Sequence, residues 1–142
     1  MYSVLKQYLK ILYDKSIKDK NDVIMNMGLL LEKNGPVNNP TDYSLLLPPE
    51  LVNLSLSTKD KEDIVTCLLT VLKNEPNYSS RIVWSIGKTF NERDIELMLL
   101  TVLQLKKWDE DTFSQISFLV DVVNNERINN LFNDICLLKN EN

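Results

Sequence analysis

Apolar residues recur at three- and four-residue spacing along most of the chain, and sustained apolar/polar alternation is missing, so the pattern predicts helices throughout. In residues 2–13, Leu5, Tyr8, Leu9 and Leu12 form one stripe, with Lys6 and Lys10 off it. A second helix is predicted over 22–33, with Asn21 as its candidate cap and Asn34-Gly35-Pro36 as its stop. Residues 34–49 hold four of the five prolines and predict an irregular connection. Pro49 can open a short helix reaching about Leu56. From Thr58 onward the pattern is regular, with helices over 60–73, 78–88, 92–106, 110–123 and 126–138. Connections of about two to six residues make neighbouring helices antiparallel.

The regular part repeats itself. The segment LLTVL occurs at Leu68–Leu72 and again at Leu99–Leu103, preceded by Asp63-Ile64 in one copy and Asp94-Ile95 in the other. A third echo follows, where Asn125-Glu126-Arg127-Ile128 repeats Asn91-Glu92-Arg93. Helical periods of this length signal stacked helix pairs, in which no pair buries its apolar face alone. The 92–106 helix carries two stripes, Ile95, Met98, Leu99 and Val102 on one side and Leu97, Leu100 and Leu105 on another. A helix apolar on two sides sits between neighbours, so Leu100 is expected to be internal. The single stripe of the first helix suits an end cap. The expectation is one all-α domain of about 6–8 helices: a helix pair over 1–35, a proline-rich connection over 36–57, and repeats over 58–138.

The stretch Ile86-Gly87-Lys88-Thr89-Phe90-Asn91-Glu92-Arg93-Asp94-Ile95-Glu96-Leu97 resembles a HEAT-like repeat junction. The resemblance implies a HEAT-like stack of antiparallel helix pairs. It also implies that Gly87 ends one helix with positive φ and that Asn91 caps the next. In the later copy Asp121 replaces the glycine, so that turn is expected to differ.

Composition changes the picture mainly by exclusion. The chain has 142 residues, 44 % hydrophobic and 25 % charged, values typical of a folded globular domain. No apolar run approaches the ~18 residues of a membrane span, and no leader pattern is visible, so a cytoplasmic protein without membrane association is expected. Cys67 and Cys136 both fall in apolar helical segments and are expected to be reduced core thiols. There is no histidine, which removes the commonest general base and metal ligand. Three scattered glycines cannot cradle a phosphate, and Gly87-Lys88-Thr89 lacks the upstream glycine of a P-loop. No catalytic residue, metal or cofactor is therefore expected, and the chain is not expected to be an enzyme.

Charge is uneven. Residues 1–35 carry a net +2, whereas residues 109–142 hold seven acidic side chains against Arg127 and Lys139, a net −5. An acidic C-terminal third disfavours nucleic acid and suits a basic partner. Small size, acidity and a helical-repeat scaffold resemble the immunity proteins of bacterial toxin systems, including those of contact-dependent growth inhibition. That resemblance implies neutralisation of a cognate toxin, often a nuclease, by covering its active site. The candidate partner-binding residues are Trp108, Asp109, Glu110 and Asp111, with Asp121, Glu75 and Glu92 at other acidic positions. Trp108 is either an exposed anchor or a staple closing a helix pair, and Asp109 or Glu110 could simply cap a helix. Trp84 is expected in the core. An adaptor or scaffold binding another intracellular partner is the alternative.

Overall fold

Caps and stops in the sequence set eight α-helices among the residues described by a computed structural model, which are all but Asn39, Lys106, Asp109 and Asn142 and the side chain of Glu141. They are α1 (Ser3–Tyr13), α2 (Asn21–Lys33), α3 (Pro49–Val52), α4 (Thr58–Asn74), α5 (Ser79–Gly87), α6 (Glu92–Leu105), α7 (Glu110–Val123) and α8 (Glu126–Glu141), with 3-10 turns at Tyr43–Leu45 and Pro76–Tyr78. No strand occurs among the described residues. The residue ending the expected 92–106 helix, Lys106, lies outside them.

Local chemistry sets the starts. At α4 a capping box operates: Ser57 Oγ accepts from the Asp60 amide at 3.0 Å, and Asp60 Oδ2 accepts from the Ser57 amide at 3.1 Å. The box starts α4 at Thr58, ahead of the expected residue 60. Asn91 Oδ1 accepts from the Asp94 amide, and Asn125 Oδ1 accepts from the Arg127 and Ile128 amides, starting α6 and α8. Asn21 is not the cap expected of it; it is the first residue of α2, which has no side-chain cap.

The helices form two layers. In one, α1 packs on α4, α4 on α6 and α6 on α8; in the other, α2 packs on α5 and α5 on α7. This is the expected all-α stack in one domain; α1 on α2, α4 on α5, α5 on α6 and α7 on α8 join the two layers, and α8 closes the first. The core runs between the layers through Leu5, Leu12, Ile24, Met27, Ile64, Leu68, Ile82, Ile86, Met98, Leu99, Ile116 and Ile135. Close approach of α2 to α5 needs Gly28, where a Cβ would fall 2.6 Å from Ser85 Oγ. Ser85 Oγ donates to the Ile24 carbonyl at 2.9 Å, so the buried hydroxyl is satisfied. The proline-rich connection plugs the edge of this core with Tyr43, Leu47 and Leu51, and α3 stops at Val52, short of Leu56.

Two expectations are corrected and a third holds. Leu100 is 40 % exposed, because it and Leu97 face outward from their layer, while Leu105 of the same stripe is half-buried against the core. Gly87 lies within α5 and has no positive φ; the left-handed residue of that junction is Phe90, with φ 50°. Gly87 matters for packing instead, since a Cβ there would meet the Leu119 methyls at 3.3 Å. The α7–α8 turn differs, as expected: α7 continues to Val123 and the Asn124 amide donates four residues back to Val120, whereas the Lys88, Thr89 and Phe90 amides donate three residues back. Both turns place a left-handed residue, here Asn124 at φ 48°, directly before the capping asparagine.

Candidate functional site

Of the residues expected to bind a partner, several are occupied within the fold. Trp108 is half-buried against the core, and its Nε1 donates to the Val102 carbonyl at 2.8 Å, so the indole staples the α6–α7 connection. Glu75 Oε2 lies 2.6 Å from Nζ of Lys20, whose side chain is fully buried. The same ammonium donates to the Leu12 carbonyl at 2.9 Å. Glu75 thus neutralises a charge that could not otherwise stay inside the protein. Asp109 lies outside the described residues.

The remaining acids do not form one patch. Glu110 pairs with Lys139 near the end of α8, at 3.3 Å, and Glu92 accepts from Asn125 Nδ2 just before its start, at 2.8 Å. Fourteen residues of helix separate those two partners, roughly 21 Å at 1.5 Å per residue.

What the fold does bring together is one face of α7. Asp111, Ser114, Phe118, Asp121 and Val122 recur at i, i+3, i+7, i+10 and i+11, and all are exposed. The buried stripe of the same helix runs through Thr112, Ile116, Leu119 and Val120. Phe118 falls off that stripe and is 70 % exposed, flanked by the carboxylates of Asp111 and Asp121. Sequence reasoning missed Phe118. The signal was there: it shares its face with Ser114 and Asp121 instead of with the core leucines.

Beside this face, α5 contributes Trp84, expected in the core but half-buried at the surface. Lys88 Nζ stands 4.7 Å from the Trp84 ring centroid and 3.0 Å from Glu32 Oε2. A shallow cleft of about 80 Å³ runs between the two helices, with Trp84, Lys88 and Phe90 on one side and Phe118, Leu119 and Val122 on the other.

Lys88, at the end of α5, is paired with Glu32, and the unpaired charge that α7 and α8 add among the described residues is acidic. Arg127 and Lys139, the basic side chains after residue 109, are engaged by Glu96 at 2.9 Å and Glu110 at 3.3 Å. Asp111, Asp121, Glu126 and Asp134 are exposed and, among the described residues, form no ion pair. The two cysteines differ: Cys67 is buried, its thiol pushed up to about 11 chiefly by desolvation, whereas Cys136 is half-buried instead of in the core. No helix among the described residues is long and apolar enough to cross a membrane. Comparison with protein families, with curated proteins and with solved structures finds no match.

Proposed function

We propose that this chain is a stoichiometric inhibitor of the immunity-protein kind, binding a basic toxin domain through the α5–α7 face and covering its active site. The observation that carries the reading is Phe118, exposed on α7 between Asp111 and Asp121. An aromatic ring can fill a pocket on a partner and dominate the binding energy, while surrounding carboxylates steer a basic surface toward it. Trp108, which the sequence offers as anchor, is engaged by Val102, and Phe118 takes that role. The unpaired Glu126 and Asp134 extend the negative field along α8.

The test is to express the chain with the protein encoded beside it, isolate the complex and titrate the partner's activity. Equimolar suppression of that activity is expected. Phe118→Ala should raise the dissociation rate about thirtyfold, equivalent to ~2 kcal/mol, the lower bound of a binding hot spot. Asp111→Lys with Asp121→Lys should slow association about tenfold at low salt, and the difference should shrink as ionic strength rises. A partner that binds without loss of activity would mean an adaptor instead. Complex formation indifferent to all three substitutions would remove the α5–α7 face from the interface.

A further inference from the structure

On the other layer, a groove of about 420 Å³ opens between α4 and α6, closed at one end by the α5–α6 turn. Its volume is that of a small-molecule site, several times the cleft beside Phe118. Each wall offers a cation next to a carboxylate: Lys61 and Glu62 from α4, Arg93 and Asp94 from α6. Among the described residues none of the four makes an ion pair or a side-chain hydrogen bond, although both signs line one space. Apolar surface lies beside them, from Leu69, Leu97 and the Phe90 ring.

Two further observations converge here. Asp94 is half-buried, and desolvation pushes its carboxyl up, with Arg93 offsetting the shift and Glu62 adding to it. Its charged form therefore lacks compensation that a bound cation would supply. Phe90, at the groove's end, holds a backbone conformation that a bulky side chain rarely adopts. Strain of this kind persists at ligand-holding sites, where surrounding structure over-determines it.

We propose that the α4–α6 groove binds a small zwitterion bearing an apolar side chain, of the α-amino acid or dipeptide class. The ligand carboxylate meets Arg93 and Lys61, its ammonium meets Asp94 and Glu62, and its side chain lies on Leu69, Leu97 and Phe90. A ligand of one sign would leave a like charge facing it from either wall. A neutral apolar ligand would strand all four charges. Among the described residues the groove shares Phe90 alone with the α5–α7 cleft, and the site does not depend on the function proposed for that face.

The probe is the dipeptide Leu-Leu, titrated into the full chain and followed by amide chemical shifts and calorimetry. Saturable shifts at residues of α4 and α6 are expected, with affinity falling at least tenfold for Arg93→Gln and for Asp94→Asn. Phe90→Asn should also weaken binding while leaving the melting temperature unchanged or higher, which separates loss of a ligand contact from loss of fold. Free leucine, run in parallel, distinguishes an amino acid from a dipeptide as the preferred form. N-acetyl-Leu-Leu-amide has neither charge and should not bind. Equal binding of the capped and free dipeptides would overturn the proposal. So would the absence of shifts at millimolar ligand, or binding that survives both charge substitutions.

Discussion

Leu68 and Leu99 are both fully buried, as Val71 and Val102 are buried, but the two LLTVL segments differ at their other leucines. Leu72 is inaccessible in α4, whereas its counterpart Leu103 in α6 is only half-buried. Leu69 is half-buried, while Leu100 is exposed. Thr70 is half-buried and Thr101 buried, yet both hydroxyls donate to the carbonyl four residues back, at 2.9 and 2.8 Å. The cause lies outside the segments. Helix α4 has α1 and α6 beside it in its layer and both α2 and α5 behind, whereas α6 is backed chiefly by α5. Identical pentapeptides therefore carry different shares of the stability, set by their place in the stack.

The largest contrast is expected at the connections that follow the two segments. After α4 the chain is held by Glu75 on the buried Lys20, and after α6 by the neutral hydrogen bond from Trp108 to Val102. Removing one member of a buried pair leaves a charge uncompensated, so Glu75→Ala should destabilise by roughly 3–5 kcal/mol. Trp108→Phe keeps an aromatic ring and loses one hydrogen bond, so about 1 kcal/mol is expected. Urea unfolding at neutral pH measures both. Equal losses would show that Lys20 finds other compensation once Glu75 is gone.

Within the segments, Leu72→Ala should cost about 2–5 kcal/mol, the range for a fully buried leucine, and Leu103→Ala roughly half as much. Leu100→Asp should cost under about 1 kcal/mol, because an exposed position lets the carboxylate keep its water. A Leu100→Asp protein that fails to fold would place the outer stripe of α6 in contact with structure and erase the contrast with Leu69.

These differences mark what was legible in the sequence and what was not. Helix boundaries were close, because Asn91, Asn125 and the Ser57–Asp60 box act over three residues and the apolar period is local. The burial of Leu100 depended on which neighbours stand in front of α6, which no local pattern encodes. Nothing in the local pattern marks Lys20 as buried, since its partner lies 55 residues away. At the candidate site, Asp111 and Asp121 were recognised as acidic positions, but the anchor was sought at Trp108. The wheel of α7 separates Phe118 from its core, a distinction visible only once the helix limits are fixed. The HEAT-like resemblance puts Gly87 in the left-handed position, whereas α5 extends through Gly87 and Phe90 takes that conformation.

The smallest effect concerns the turns that close those helices. Phe90-Asn91 and Asn124-Asn125 both place a left-handed residue before a cap, but of the two side chains asparagine tolerates that position better. Asn124→Phe should therefore destabilise by about 1 kcal/mol, the lower end of the steric cost of a left-handed residue. Phe90→Asn should recover up to about the same amount, less the packing lost by a ring that is already 39 % exposed. Asparagine is preferable to glycine in this exchange, because glycine would add freedom to the unfolded chain and obscure the gain. Thermal melts of the two single variants and of the double exchange decide the matter. Opposite signs, adding in the double variant, would identify backbone strain at Phe90 as the difference between the turns. A loss at Phe90→Asn would mean that the ring's contacts outweigh the strain, and that the junction before α6 is held by packing.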